Sequence, residues 1–317
     1  MDNVQSSEPS PIAGFWRRIA AFVVDSVCLG VVGVAFGFFL SEQLVALGPW
    51  GRLLGFVVAV IYFVPLNSSL GRGQTLGKRL CGIKVVDRDG AQITFAKSFV
   101  RFLPIGVPWF LNNARFPESY LFSVWLYATS IAVFGVGLSV IYLYVFNRRS
   151  RQSLHDLLVG SYVLKADAAG PVSLPPAWTL HLAVCGLLLL ASGVAPYFTK
   201  QLAAAQPFAS LVNVYHAVGA ESWVVHVDVV RGRSYVTSSD NGRRETTYLR
   251  ITAFSRDADL ANIERARQLA KRAIAADASA RSLDLIEIQL VYGYDIGIAS
   301  SWRSQNYKYA PRELSAQ

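Results

Sequence analysis

The sequence predicts a polytopic α-helical membrane domain, about four to five membrane helices, followed by a small soluble α+β domain of ββαββ order. Three observations carry that expectation. The 317 residues are 53% hydrophobic and 16% charged, outside the range of ordinary soluble domains. The apolar residues fall in blocks long enough to cross a bilayer. From residue 205 onward the blocks give way to alternating, strand-like runs around one amphipathic stretch.

The first block opens at Ala13-Gly14-Phe15-Trp16-Arg17-Arg18 and stays apolar to about Leu40, apart from Asp25. A charge at bilayer depth costs roughly 3 kcal/mol or more, so it persists only where a bundle interior, a cavity or a partner holds it. Arg18 and Asp25 are two helical turns apart on one face, about 10 Å. That is too far for contact, so each is expected to find a partner elsewhere in the fold. Gly30, Gly33 and Gly37 form a small-residue strip suited to helix packing, with homodimerisation as the lesser alternative.

The rest of the chain is read in order. Residues 1–12, polar with two prolines, are expected to be disordered. Residues 13–166 form the membrane domain: spans at about 18–40 and 51–70, a proline-bent crossing or re-entrant helix at about 99–113, and a span at 119–146. Between them lie two basic stretches. The first, 71–101, holds Arg72, Lys78, Arg79, Lys84, Arg88, Lys97 and Arg101; the second, 147–165, holds Arg148, Arg149, Arg151 and Lys165. By the positive-inside rule both are cytoplasmic, and so is the N-terminus. Within the first, 81–86 and 91–94 flank Asp89-Gly90, a hairpin signal. Residues 167–176 read as a linker and 177–198 as the last span, which delivers 199–317 to the far, extracytoplasmic side. There strands are expected at about 222–237, 245–254 (after an Asn241-Gly242 turn), 283–292 and 295–309. A helix is expected over 257–276, opened by Asp257 and Asp259.

The net charge of +9 fits cytoplasmic loops that meet anionic lipid headgroups, and nucleic acid is not expected as a partner. The lipid bilayer is the expected partner, with a homodimer or a partner protein as further candidates. The three cysteines have no metal spacing, and none follows residue 185, so no disulfide is expected in the last domain. No cofactor, metal site or enzymatic activity is expected. His226 and Asp228 share a strand face without a third ligand. Gly71-Arg72-Gly73-Gln74-Thr75-Leu76-Gly77-Lys78-Arg79 imitates a phosphate loop. Its spacing is wrong, Arg79 stands where a magnesium-binding hydroxyl belongs, and it follows a membrane helix. A cationic bend against phospholipid headgroups is expected instead.

By sequence, the expected partner of Arg18 lies in Ser153-Leu154-His155-Asp156-Leu157-Leu158-Val159-Gly160-Ser161, an amphipathic segment just outside a span. An Arg18–Asp156 ion pair there would fix the first helix, and a guanidinium's planar fork suits a carboxylate. Three ordered stretches, residues 13–25, 73–87 and 153–161, together resemble the RDD membrane proteins, named for one arginine and two aspartates. The match places the arginine on Arg18 and the aspartates on Asp25 and Asp156. Gln74, Lys78 and His155 are its secondary members, and Ser161 stands where the family often has threonine. The resemblance covers about 12–166 and implies a helical bacterial membrane domain, with transport proposed for the family. Two functions follow as expectations. In one, a small ion or solute moves with Asp25 as the in-membrane acid. In the other, a non-catalytic scaffold presents the external domain to a partner protein, and the charged triad only defines the fold.

Overall fold

The computed structural model describes residues 11–116, 120, 123–238 and 242–314. Three expected features fall wholly or partly outside these: the disorder of 1–10, the start of the 119–146 span, and Asn241 of the predicted turn. The chain forms two compact units, one built largely from residues up to Pro196 and the other from Tyr197 onward.

The first unit is helical with one small sheet. Helix α1 runs Phe15–Leu47, with a break in helical geometry at Leu40. Its buried positions Ala21, Asp25, Leu29 and Gly33 recur every four residues, so one stripe meets the protein. The other faces expose Val23, Val27, Val31 and Val34, as a helix bathed in acyl chains does. Gly30 and Gly37 flank the stripe, half-buried. A 3₁₀ turn, Gly48–Trp50, leads into α2, Gly51–Asn67. Together this stretch of 53 residues is apolar enough to lie in a membrane, as are Trp125–Phe146 and Thr179–Ala204. At about 1.5 Å per residue, 53 residues far exceed the roughly 30 Å hydrocarbon core.

After α2 come the short α3 (Leu76–Leu80), strand β1 (Ile83–Val86) and α4 (Phe95–Leu111). Helix α4 starts earlier than the expected 99, because the Thr94 hydroxyl caps it by accepting from the Lys97 N–H at 3.2 Å. It runs through Pro104 and Pro108 and buries Ser98, Arg101, Phe102 and Phe110. Helix α5 is Trp125–Phe146, with a π-helical turn at Ile131–Val136. Next come α6 (Leu154–Val159), strand β2 (Tyr162–Lys165) and α7 (Thr179–Ala204).

The predicted hairpin around Asp89-Gly90 is corrected. The turn forms, with Asp87 Oδ1 accepting from the Asp89 and Ala91 N–H groups at 3.0 and 2.9 Å. Strand β1 nevertheless pairs antiparallel with β2, Ile83 opposite Lys165 and Val86 opposite Tyr162. Burying Ile83, Val85 and Val163 in one cluster with Ala13 and Ala21 is the gain a local hairpin would forgo. The same sheet corrects the expected disorder at Pro11 and Ile12. The Pro11 carbonyl accepts from the Lys165 N–H at 2.8 Å, and Ile12 bridges Leu164 and is buried with Val86 and Val172. Val172, within the stretch read as a linker, also donates its N–H to the Arg88 carbonyl at 2.8 Å.

The second unit holds α8 (Phe208–Gly219), β3 (Val224–Ser238), β4 (Gly242–Ser255), α9 (Ile263–Ala276), β5 (Leu285–Asp295), β6 (Ser300–Tyr309) and the short α10 (Pro311–Leu314). The sheet order is β3-β4-β5-β6, with β4 and β5 parallel and the outer pairs antiparallel. A parallel step needs a crossover, which α9 supplies. Alternate residues Leu249, Ile251 and Ala253 on β4 and Ile286, Ile288 and Leu290 on β5 bury with Leu269, Ala270 and Ala273 of α9 and Val214 and Val218 of α8. The other sheet face carries polar cross-strand pairs, Arg250–Glu287 at 2.8 Å and Thr252–Gln289 at 3.2 Å.

Helix α8 was not anticipated, and α9 begins at Ile263 rather than Asp257. The Ser255 hydroxyl accepts from the Asp257 N–H and the Asp257 carboxylate from the Asp259 N–H, which makes 255–259 a turn. Asn262 is the actual cap, its side-chain oxygen accepting from the Arg265 N–H at 3.1 Å.

Candidate functional site

Two buried carboxylates organise the first unit, and they are held by different chemistry. Asp156, at 0% exposure, sits in the first turn of α6. Its Oδ2 accepts from Arg18 Nη2 at 2.7 Å and from the Ser153 N–H at 3.3 Å. Its Oδ1 accepts from Arg101 Nη2 at 2.7 Å, Arg101 Nε at 3.0 Å and the Ser161 hydroxyl at 3.1 Å. The two arginines thus take one oxygen each, and the pairs are charge-assisted and nearly dry. Arg18 also donates to the Arg151 carbonyl. One carboxylate therefore ties α1, α4 and α6 together.

Asp25, at 1% exposure, has no cation bonded to it among the described residues. Its Oδ1 accepts from the Tyr62 hydroxyl at 2.7 Å and the Gly77 N–H at 2.8 Å, and its Oδ2 from the Thr75 hydroxyl at 2.6 Å. Three neutral donors from α2 and from the start of α3 surround it. Thr75 is also the cap of α3, so Asp25 lies at that helix start and meets its backbone. The approach is close: a Cβ on Gly77 would come within 2.1 Å of the Ala21 carbonyl oxygen. Residues 73–78, whose spacing imitates a phosphate loop, do cradle an anion with backbone N–H and hydroxyl. The anion is the chain's own carboxylate.

Around these centres stand the secondary residues. Lys78 donates its ammonium to Asn67 Oδ1 at 2.7 Å. Burial, joined by the Arg101 charge, pushes that ammonium down to about 7 against the pull of Asp25 and Asp156. His155 lies 3.5 Å from Asp156 Oδ2, and burial drives its imidazole down to about 3, so it is neutral at neutral pH. Burial alone would raise the Asp156 carboxyl; His155, Arg101 and Arg18 outweigh it and hold the group far below the usual carboxylate range. Gln74 donates to the Ile83 carbonyl at 2.9 Å, which joins the loop to β1.

Arg18 and Asp25, seven residues apart, belong to separate centres, Arg18 with Asp156 and Asp25 with the α3 loop. Sequence reasoning missed Arg101, Tyr62, Thr75, Gly77 and Asn67 as site members. Arg101 had a signal, being a guanidinium at the mouth of the apolar 99–112 stretch. Tyr62 had none, since a tyrosine in a membrane helix is commonplace.

Residues 12–160 match the model of the RDD family. A protein of Bacillus subtilis (strain 168) called YckC is 26% identical over 154 residues, which is 49% of this chain and 85% of that protein. YxaI of the same organism is 26% identical over 111 residues, 28% of this chain and 73% of that protein. No solved structure matches. The family match takes in Arg18, Asp25, Arg101 and Asp156, and the C-terminal region lies outside it. Residues 12–160 of this chain are thus similar to the RDD family of membrane proteins.

Proposed function

We propose that the RDD region is a non-catalytic membrane scaffold that carries the C-terminal sheet domain on the non-cytoplasmic side of a bacterial inner membrane, for contact with a partner protein. The observation that carries this reading is the occupancy of Asp156. Both its oxygens are taken by arginines from two other helices, an arrangement that holds segments together and leaves no open coordination for a solute. A second reading keeps the chain as a carrier of protons or a small cation. It draws on Asp25, whose neutral donors leave its charge without a bonded counter-ion among the described residues.

Proteoliposome flux separates the two. With wild type and Asp25→Asn inserted at equal density, the scaffold reading expects no proton or cation flux above empty vesicles from either. Flux in wild type that Asp25→Asn abolishes, with insertion intact, replaces the scaffold with the carrier. Orientation has its own test, on exposed positions. Arg149→Cys should react only after permeabilisation and Glu245→Cys should react in intact cells with a membrane-impermeant maleimide. The reverse pattern inverts the topology.

A further inference from the structure

The stretch between α2 and β1 exposes large apolar side chains although it lies outside the long apolar helices. Leu70 is 74% exposed, Leu76 45% and Leu80 77%. Interleaved with them, Arg72 and Arg79 are also exposed. On α3 the residues Leu76, Arg79 and Leu80 fall at i, i+3 and i+4, one outward face. The opposite side is pressed onto α1, where only Gly77 fits beneath the Ala21 carbonyl.

The depth of that contact decides what meets the outward face. Arg17 and Arg18 are the last basic residues before the apolar run of α1, so they mark the headgroup boundary there. Ala21 and Asp25, which α3 touches, lie about 5 and about 10 Å further along the helix axis. The α2 contact agrees, because the Leu76 N–H donates to the Tyr62 hydroxyl at 3.3 Å, inside α2 rather than past its end. A water-exposed loop would have no reason to present three leucines at that level. A loop dipped into the leaflet would, with arginines reaching back to phosphates as long cationic side chains do.

We propose that residues 69–80 are seated in the bilayer leaflet nearest the start of α1, with Leu70, Leu76 and Leu80 against acyl chains and Arg72 and Arg79 on anionic headgroups. The occupant of this face is lipid, favoured over a second copy of the chain by its alternation of leucine and arginine and by its depth.

Spin-label accessibility tests it in the full chain, with Cys28, Cys81 and Cys185 changed to serine and vesicles of phosphatidylcholine and phosphatidylglycerol. A nitroxide on Leu80→Cys, and independently on Leu70→Cys, should collide more with oxygen than with a water-soluble nickel chelate. The ratio should approach that of Val27→Cys on the exposed face of α1 and differ from that of Asp89→Cys on the solvent turn. Nickel-dominated labels overturn the proposal, and so do labels shielded from both reagents, which would indicate a protein seated there. Arg79→Gln should lower the preference for spin-labelled phosphatidylglycerol over phosphatidylcholine about twofold, and an unchanged preference removes the headgroup half.

Discussion

Asp156→Asn should destabilise the membrane unit more than any other conservative change in it. The substitution leaves the shape but removes the charge that two nearly dry guanidiniums share. Removing one partner of a buried ion pair costs about 3–5 kcal/mol, because the remaining charge is stranded. Here two are stranded, which places the loss at the upper end. Thermal unfolding in detergent would read it as a large fall in Tm. The companion variant Arg18→Met/Arg101→Met/Asp156→Leu should recover most of the loss, since apolar residues of similar size can replace a buried ionic group at little cost. Recovery of stability without recovery of cellular function would show that the charges act beyond folding.

The pH dependence of this latch follows from its low carboxyl pKa. A carboxyl ionised more readily in the folded than in the unfolded chain stabilises fully above the ordinary carboxylate range. That stabilisation declines only as pH falls through the ordinary and then the folded values. The stability difference between wild type and Asp156→Asn should therefore stay constant from about pH 7 to about pH 5. A difference that halves across that interval would mean that the carboxyl is not held as described.

Gly77→Ala is the second large effect, and it arises from space rather than charge. The added methyl meets a helix carbonyl at 2.1 Å and the Asp25 carboxylate at 3.0 Å. Neither is the free end of a flexible side chain. Helix α3 must lift from α1, which breaks the Gly77–Asp25 hydrogen bond and exposes a buried anion to loss of its donors. Overpacking and an unsatisfied buried acceptor together cost roughly 3 kcal/mol or more. Gly186→Ala in α7, where a Cβ meets nothing within 4 Å, should instead be neutral or stabilising by up to about 1 kcal/mol. In a double-mutant cycle Gly77→Ala and Asp25→Asn should be strongly non-additive, because each disrupts the same cradle. Additive losses would place Gly77 outside the Asp25 site.

The parts legible in the sequence were those with a one-dimensional signature. The apolar blocks announce themselves by length, Asp25 by the cost of placing charge inside such a block, and Arg18 and Asp156 by the ordered stretches that carry the family resemblance. The sheet of the second unit was visible through alternation on β4 and β5. What escaped depended on long-range contact. Nothing local in Asp257-Ala258-Asp259 reveals that its carboxylates close a turn rather than open α9. Nothing around Ile83 reveals a strand partner at Lys165. The 73–78 loop shows the opposite failure. Its spacing argues against a nucleotide, yet glycine and threonine sit around an anion all the same, one that the sequence carries 50 residues earlier.

The pairing of β1 with β2 also sets a schedule for the growing chain. Strand β1, the Ala13–Val163 backbone bond and the Arg18–Asp156 ion pair all wait for residues made well over 60 positions later. Helices α1 and α2 must therefore enter the membrane while Arg18 still lacks its counter-charge and Ile83 its strand partner. Closure costs loop entropy only once, when residues 153–165 arrive and complete the ion pair, the sheet and the seat of Ile12 together. The latch is thus the last step of assembly for the RDD region, and a ribosome stalled before Asp156 leaves an inserted but unfastened bundle.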